Sequence, residues 1–505
     1  MKRLIFAFTA ILSMTVEAQN ITDAVRYSTS DLNGTARYRA MSGAFGALGG
    51  DLSSIDVNPA GSAVFLNGIA GLSLNIENSD NEVRYMNGFS SNSNSNFDLG
   101  QAGAAFVFNS TNEENDWKKF SLAFNYSKTA DFEDDFLAKG MNDRTFNNYF
   151  LGYAQGIPLD LLTPLANESV SDLYSYLGEE YGFGAQQAYL GYEAFLFEAE
   201  DPNDMTNTNY ISAIEEEPGS FDFDQEYSYA ATGLNGKFSF NFATQYQDFL
   251  YLGINLNSHF INYDRITSMD EINSNEENTI SRIYFEDRLS TLGSGFSLQL
   301  GAITKLGSSL RAGIAYESPT WYTISEETTQ YLKSYSELGN ATVDPRIVNV
   351  YPDYKLQTAP KYTGSLAYLF GDQALISFDY SYKDYSVTKF KPKGDPDFSY
   401  QNDLMGTELQ GASIFRLGGE YRIEGWSLRG GYRFEESPYA NGNTIGDLEG
   451  YSVGLGYNFG NITLDVAYDS AEQDRNPQLY KTGLTNTANI NRSTSNVVLS
   501  VNFKI

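Results

Sequence analysis

Segments of about ten residues in which apolar side chains alternate with small or polar ones recur along most of the chain. In the segment 408–424, for example, Phe415 and Leu417 alternate with Arg416 and Gly418. Successive side chains of a strand point to opposite faces, so each segment predicts a strand with one apolar face. Strands of soluble proteins average about 5–6 residues, whereas a tilted membrane-spanning strand needs about 9–11. The segment lengths therefore favour an all-β transmembrane antiparallel barrel over a soluble sandwich or propeller.

The number and spacing of these segments predict the topology. The predicted strands are 69–77, 98–109, 119–128, 232–244, 248–264, 287–304, 309–318, 357–370, 374–390, 408–424, 425–436, 448–459, 461–473 and 492–505. Fourteen is an even number, as in bacterial barrels made of a single chain. Connections after even-numbered segments are mostly tight, such as 371–373, whereas those after odd-numbered segments are long and polar, such as 78–97 and 319–356. Periplasmic turns and extracellular loops alternate in this way in the outer membrane of Gram-negative bacteria, where we expect the protein.

Composition agrees with this location and excludes several other functions. Aromatic residues make up 15% of the chain, as the girdles at both membrane interfaces require. The formal net charge of −31 argues against nucleic acid as a partner. There is no cysteine and only one histidine, His259, so thiol chemistry and a histidine metal cage are excluded. Its neighbour Ser258 is predicted to point to the opposite face, and we expect neither an enzyme nor a cofactor.

Residues 1–66 contain two segments of different composition. Lys2 and Arg3 precede an apolar stretch of thirteen residues, 4–16, and a small-x-small site ends at Ala18, which predicts a signal peptide over 1–18. Residues 34–61 are rich in glycine and show no strand alternation, so we expect a compact plug over 19–66 and the barrel over 67–505. Residues 130–231 read as a long extracellular insertion with short helices near 149–165 and 170–177. Two strands hidden there would raise the count to sixteen.

Several motifs resemble those of one known family. Near the N-terminus they are Asn33-Gly34, Ala36-Arg37 through Ser42-Gly43, Asp51 and Asn58-Pro59-Ala60. Later they include Arg311-Ala312-Gly313, Ser318-Pro319-Thr320-Trp321-Tyr322, Ala359-Pro360, Phe378-Asp379-Tyr380, Arg416-Leu417-Gly418 and Gly431-Tyr432. Together they resemble the FadL-type outer-membrane transporters, which carry long-chain fatty acids and aromatic hydrocarbons. The resemblance covers both ends and most of the barrel, but not 130–231.

This resemblance implies a mechanism. Ligand would enter among the extracellular loops, bind in an apolar pocket above an N-terminal hatch, and leave through a lateral gap beside an inward-kinked third strand. The hatch and gating residues would be Gly43, Gly46, Gly49, Gly50, Asn58, Pro59 and Ala60. The predicted third strand contains no glycine or proline to bend it, although Gly100 and Gly103 lie in the second.

Candidate ligand-binding residues are arginines on predicted inward faces, because a carboxylate in a partly dry lumen is best bound by a guanidinium. They are Arg311, Arg416, Arg422, Arg429 and Arg433. The alternative is that they pair with inward carboxylates such as Glu420 and Asp465. The acidic run from Glu215 to Glu226 either binds Ca²⁺ or is a solvated loop, and no metal site is assigned.

The sequence thus predicts a monomeric outer-membrane transporter that takes up small hydrophobic compounds, such as long-chain fatty acids, by passive diffusion. Its partners would be membrane lipid, lipopolysaccharide and the hydrophobic ligand. Two alternatives stay open: a barrel partner in protein secretion, like the PorV-type shuttles of the type IX pathway, and an adhesive surface protein that uses its acidic insertion.

Overall fold

The computed structural model describes residues 20–112, 114–275 and 278–505, so the predicted signal peptide lies outside the described residues. The described residues form a β-barrel whose lumen contains the N-terminal segment, residues 20–66. Within these residues the helices are α1 (Ile21–Ser28), α2 (Ala36–Ala40), α3 (Ser54–Val57), α4 (Asn147–Ala154), α5 (Leu159–Leu162), α6 (Val170–Tyr181), α7 (Phe183–Glu193) and α8 (Pro396–Glu408), with 3-10 helices at Pro59–Val64 and Tyr385–Val387. None of them is long and apolar enough to cross a membrane.

The strands of the described residues are numbered in chain order. They are β1 (Ile69–Tyr85), β2 (Gly88–Asn109), β3 (Trp117–Asp131), β4 (Asp134–Asn142), β5 (Phe197–Ala199), β6 (Tyr210–Ser212), β7 (Phe223–Tyr246), β8 (Leu250–Asn273), β9 (Ile280–Leu306), β10 (Leu310–Glu317), β11 (Trp321–Ser336), β12 (Ala341–Val343), β13 (Asn349–Val350), β14 (Tyr354–Gln357), β15 (Lys361–Phe370), β16 (Ala374–Asp384), β17 (Lys389–Lys391), β18 (Gly411–Ile423), β19 (Trp426–Glu435), β20 (Ile445–Asn458), β21 (Ile462–Arg475) and β22 (Asn489–Lys504).

Fourteen of these strands close the wall. In order they are β1, β2, β3, β7, β8, β9, β10, β15, β16, β18, β19, β20, β21 and β22, each antiparallel to the next. β22 pairs with β1 from Ile69↔Lys504 to Arg84↔Asn489, which completes the ring. Closure gives each of the fourteen strands a paired neighbour on both sides, as a barrel in lipid requires. The predicted fold class and strand number are confirmed.

Side chains of the wall alternate as the sequence predicts. In β18, Phe415, Leu417 and Tyr421 are exposed on the outer face, whereas Glu420 between them is buried. Apolar residues of the other wall strands are exposed in the same way, so the outer face is an apolar surface suited to lipid. The polar partners face the lumen, where they meet the N-terminal segment.

The tight turns lie together at one end, and the strands extend further than expected at the other. β1 and β2 continue through residues 78–97, where the sequence suggests a loop, and turn only at Met86 and Asn87. Their upper halves carry Asn and Ser on both faces, so they show no apolar alternation although the backbone ladder continues. Helix α8 and the short strands β12 to β14 occupy two other expected loops.

A cap, residues 143–222, covers the end opposite the tight turns. It contains α4 to α7 and the hairpin β5–β6, whereas β4 before it still pairs with β7 in the wall. The buried core of the cap includes Phe150, Leu177 and Tyr189, and it packs on Phe285 and Leu332 at the strand ends. The capping box of Ser169 and Asp172 begins α6. The cap is therefore a packed layer with its own core.

Candidate functional site: the lumen and its N-terminal segment

The N-terminal segment contacts the inner wall on several sides of the ring. Its backbone N–H groups donate to Ser500 of β22 at 2.7 Å and to Asp379 of β16 at 2.9 Å. The hydroxyl of Ser62 lies 2.8 Å from that of Ser121 in β3. Because these strands stand at different positions around the barrel, the segment spans the cross-section of the lumen.

Asn58 fastens the segment to the wall. Its Nδ2 donates to the carbonyl oxygen of Gly46 within the segment at 2.7 Å. The same nitrogen lies 3.1 and 3.2 Å from the carbonyl oxygens of Ala302 in β9 and Ile314 in β10. Its Oδ1 accepts from the N–H of Ala60 at 3.1 Å and so starts the 3-10 helix that follows. One buried amide thus joins two parts of the segment to two wall strands.

The wall opposite Asn58 and Pro59 is made of glycine. A Cβ on Gly301 would lie 2.0 Å from Oδ1 of Asn58, and one on Gly253 would lie 2.3 Å from the carbonyl carbon of Pro59. Both approaches are too close for any side chain, so the segment packs directly on the backbone of β8 and β9. The Asn-Pro-Ala motif and these glycines form one contact.

The other predicted hatch residues shape the turns of the segment. Gly43, Gly49 and Gly50 all have positive φ. A Cβ on Gly46 would lie 2.0 Å from the hydroxyl of Ser365 in β15. Only glycine suits these positions without strain or clash. Their part in gating stays a prediction.

Two of the predicted lumen arginines belong to a charged cluster near the tight turns. Arg429 donates to Glu420 and to Asp465, both at 2.6 Å. Arg422 donates to Glu420 at 2.8 Å, and Arg37 of the N-terminal segment reaches the same carboxylate at 2.9 Å. Buried charges are stable when paired in this way. Both arginines thus have carboxylate partners, and Glu420 connects them to Arg37 of the segment.

The remaining three predicted arginines are also engaged. Arg416 donates to the hydroxyl of Tyr38 in the segment at 3.2 Å and to Glu435 at 3.4 Å. Arg433 lies 3.6 Å from the same carboxylate. Arg311 donates to a backbone carbonyl of the segment at 2.9 Å. Contact of any of the five with ligand stays a prediction.

Arg39 and Asp469 form an ion pair that the sequence analysis missed. The guanidinium of Arg39 in α2 binds the carboxylate of Asp469 in β21 through two hydrogen bonds of 2.8 and 2.9 Å. Burial lowers the pKa of Arg39, whereas Asp469 and the more distant carboxylates of Glu77 and Asp31 raise it, so the pKa lies above its usual value. The alternation of its strand places Asp469 on the inner face, which the sequence shows. Its partner Arg39 lies in a segment without strand periodicity, so the pair itself could not be predicted.

Further from the tight turns, the lumen contains a cluster of buried aromatic and aliphatic residues, called the aromatic chamber below. Its wall and loop residues are Phe132, Ile261, Tyr263, Leu289, Tyr322, Ile324, Tyr354, Leu356, Tyr385, Phe390, Phe398 and Tyr439. Helix α1 lies in it, with Val25 and Tyr27 buried in the same cluster. The ring of Tyr27 is 6.3 Å from that of Tyr263 and 6.0 Å from that of Phe132. Most of the side chains in this cluster are aliphatic or aromatic.

Three lysines face the lumen beside this chamber. Lys237 forms an ion pair with Asp56 at 3.0 Å, and Lys361 forms one with Glu317 at 2.9 Å. Lys383 differs, since no carboxylate among the described residues lies within 4.0 Å of its ammonium. Their positions in the predicted strands place all three lysines on the inner face, although the sequence-based prediction of ligand-binding residues included only arginines.

The position of Lys383 links the cation to the apolar surface. Its ammonium donates to the backbone carbonyl of Ser28, the last residue of α1. The same ammonium lies 5.1 Å from the ring centre of Tyr385, which lines the aromatic chamber. Lys383 therefore borders the aromatic chamber in which α1 packs, and the neighbouring carboxylate of Glu317 is paired with Lys361.

His259 faces the lumen and is buried. Its Nε2 is 2.9 Å from the hydroxyl of Ser297, and its Nδ1 is 3.4 Å from that of Tyr322. Ser258 is exposed on the opposite face, so the two neighbours do not meet. Among the residues that the structure describes, no group of three or more acidic or histidine side chains is placed to hold a metal ion.

The third wall strand is irregular where the resemblance implies an exit. Its pairing with β2 ends at Gln101↔Ser127, and its register with β7 shifts between Lys128 and Ala130. The strand then breaks at residues 132–133 before β4 begins. These irregularities occur in a strand that contains neither glycine nor proline. On the lumen side of it, Lys128 forms ion pairs with Asp98 and Asp131.

Comparisons with known proteins agree with this architecture. No curated protein matches the chain significantly. Solved structures of the same fold include a FadL homologue of Pseudomonas aeruginosa, with 12% identity, a TM-score of 0.54 and coverage of 94% of this chain and 99% of that one. The toluene transporter TodX of P. putida has 14% identity and a TM-score of 0.53, with coverage of 94% and 99%. For the CymD monoaromatic hydrocarbon channel the values are 13%, 0.51, 94% and 98%.

The family itself is shown by the sequence. The profile described as "Outer membrane protein transport protein (OMPP1/FadL/TodX)" matches residues 237–504, which is more than half of the chain. The matched region runs from β7 to β22 and includes eleven of the fourteen wall strands. The chain therefore belongs to the FadL/TodX family of outer-membrane transport proteins.

Proposed function

We propose that the protein takes up long-chain fatty acids, or amphiphilic carboxylates like them, by passive diffusion through the lumen. As a FadL/TodX-type protein it is a channel for hydrophobic compounds in the Gram-negative outer membrane. The observation that carries the finer proposal is the position of Lys383, whose ammonium borders the aromatic chamber and has no carboxylate of the described residues within 4.0 Å. A neutral hydrocarbon would have no use for this cation.

The two halves of such a ligand match the two surfaces. The carboxylate would take the ammonium of Lys383 from the carbonyl of Ser28, and a charge-assisted hydrogen bond is stronger than the one it replaces. Each buried methylene of the tail contributes about 0.8 kcal/mol in the apolar chamber. The aromatic rings of the chamber would contact the tail once the volume they surround is free.

That space is now filled by α1. Val25 and Tyr27 occupy the chamber, so a ligand must displace the helix before it binds. In this proposal residues 19–66 act as the hatch, and the contacts of Asn58 hold its lower part while α1 moves. The extent of that movement would depend on the backbone of the other hatch residues, Gly43, Gly46, Gly49, Gly50, Pro59 and Ala60. The broken third strand is the proposed lateral exit.

Binding of matched ligands tests the role of Lys383. The variant Lys383→Met keeps the length and removes the charge, and Lys481→Met, in an exposed loop, is the control. We expect Lys383→Met to weaken binding of a fluorescent long-chain fatty acid about ten- to hundredfold, the range for a hydrogen bond to a charged group of about 1.5–3 kcal/mol. Binding of the corresponding methyl ester should not change.

Two results would contradict the proposal. One is equal affinity of the unmodified protein for the acid and its ester. The other is an acid affinity of Lys383→Met equal to that of Lys481→Met. Purified protein extracted with organic solvent should also release a carboxylate lipid that mass spectrometry identifies.

A further inference from the structure

The outer wall of the barrel carries a groove that the lumen mechanism does not use. It crosses five neighbouring strands, β8, β9, β10, β15 and β16, and has a volume of about 680 Å³. Its lining residues are Leu252, Gly253, Leu300, Gly301, Ala302, Ile314, Ala315, Tyr316, Tyr362, Thr363, Gly364, Tyr380 and Tyr382. None of these described residues is charged, and the volume lies within the range of about 300–1,000 Å³ usual for ligand sites.

Small side chains in one row of the ladder make the floor of the groove. Leu252, Ala302, Ile314, Gly364 and Tyr380 are successive partners across the five strands. A Cβ on Gly364 would meet no atom within 4 Å, so the space above it is open. Ala302 leaves a second gap in the same row. Gly364 and Ala302 are therefore the low points of the row, between the larger side chains of Leu252, Ile314 and Tyr380.

Larger side chains in the next row make the rim. Leu300, Tyr316, Tyr362 and Tyr382 are also successive partners, and all stand on the outer face. The rings of Tyr316 and Tyr362 are 5.3 Å apart. The groove thus carries tyrosine hydroxyls on β10, β15 and β16, and no polar side chain on β8 and β9. Such a gradient suits a chain with a polar end.

The floor of the groove is also the surface that holds the N-terminal segment. Gly253 and Gly301 line the groove from outside, while their inner sides contact Pro59 and Asn58. The carbonyls of Ala302 and Ile314, both lining residues, accept from Asn58. A single layer of backbone separates the groove from this contact.

We propose that the groove binds one acyl chain of a membrane phospholipid, against the backbone that anchors Asn58 and Pro59. The outer face of an outer-membrane barrel stands in lipid hydrocarbon, so acyl chains are the molecules that reach it. A flexible chain can follow a narrow groove, whereas the convex wall of a second barrel would rest on the rim and leave the floor empty. The bound chain replaces mobile lipid at the wall where the hatch is fixed.

Photo-crosslinking tests this site. The protein is reconstituted into phosphatidylethanolamine vesicles that contain a phospholipid with a diazirine in one acyl chain, and labelled peptides are mapped by mass spectrometry. We expect peptides that contain residues 300–316 and 362–382 to carry at least fivefold more label than the other lipid-facing peptides. Uniform labelling around the wall would overturn the proposal.

A variant that fills the groove tests the labelling, and a matched control adds the same side chain elsewhere on the lipid-facing wall. Gly364→Leu places a side chain on the floor, and Gly430→Leu does the same on the lipid-facing side of β19, where the nearest atom to a Cβ is 3.8 Å away. We expect Gly364→Leu to abolish the excess label and Gly430→Leu to leave it. Ala302→Leu gives the same test if Gly364→Leu does not assemble.

Competition with unlabelled lipids shows whether the bound acyl chain belongs to a phospholipid or to a free fatty acid. Excess unlabelled phospholipid should reduce the label in the groove in proportion to its mole fraction, whereas excess free fatty acid should not. Labelling by a diazirine fatty acid alone would overturn the assignment to phospholipid. Because Lys383 plays no part in this labelling, Lys383→Met should not change it, which separates this inference from the proposed function.

Discussion

Arg39 and Asp469 show how strongly the N-terminal segment depends on single pairs. Only 3% and 4% of their side chains are exposed, and two hydrogen bonds join them. A buried ion pair adds little net stability compared with apolar residues of the same size, because both ions lose their hydration. Removal of one partner is costly, since the other charge remains buried alone.

This asymmetry gives a prediction for a double-mutant cycle. We expect Arg39→Met to lower the free energy of unfolding by about 3–5 kcal/mol, because Asp469 is left without its partner. Addition of Asp469→Leu to the same chain should restore most of that loss. Urea unfolding of the protein in lipid vesicles measures all four chains. A double variant as unstable as Arg39→Met alone would show that the pair does more than balance charge.

The lumen residues also mark what the sequence can predict at this scale. The alternation of β18 and β19 correctly placed Arg416 and Arg429 on the inner face, because one face of each strand must meet lipid. The sequence also offered Glu420 and Asp465 as carboxylates for such arginines, and Arg429 contacts both. It could not show that Tyr38 contacts Arg416 or that Arg37 contacts Glu420, because both lie hundreds of residues earlier in a segment without periodicity. Lys383 was not predicted as a ligand-binding residue, although the alternation of its strand places it on the inner face.

At the scale of elements, prediction succeeded where lipid imposes a pattern. The last five wall strands agree closely with their predicted bounds, since each alternates over its whole length. The upper halves of β1 and β2 have polar residues on both faces and carry no such signal. Helix α7 in the cap was not predicted, because it is buried on several sides and lacks a clear polar face. Tertiary packing, not periodicity, determines these parts.

Helix α1 gives the element-scale prediction. If it occupies the ligand site, deletion of residues 20–28 should open the aromatic chamber and release Lys383 from Ser28. We expect faster entry of a fluorescent fatty acid into vesicles that contain the shortened protein. Binding should also tighten, because the ligand no longer competes with the helix.

A second deletion controls for general loosening of the barrel. Residues 338–340 lie in the exposed connection between β11 and β12, so their removal should leave entry unchanged. Slower entry in the protein without α1 would mean that the helix builds the site instead of blocking it. Heat-modifiable migration in gels confirms that both barrels assemble.

At the scale of the whole molecule, charge opposes the proposed ligand. The chain has 33 basic and 64 acidic residues, a formal net charge of −31. A fatty-acid carboxylate therefore approaches a chain whose net charge has its own sign before it reaches Lys383 inside the lumen. Long-range repulsion acts on association, whereas the buried contact with Lys383 acts on dissociation.

Salt separates the two effects. The Debye length falls from about 30 Å at 0.01 M to about 10 Å at 0.1 M, so added salt screens the repulsion outside the lumen more than the contact within it. We expect the association rate of a long-chain fatty acid, measured by stopped-flow fluorescence, to rise with ionic strength over this range. The rate for its methyl ester should stay constant, because the ester carries no charge. An acid rate that falls with salt would mean that the lysines beside the chamber attract the ligand from outside, and that the acidic surface does not govern entry.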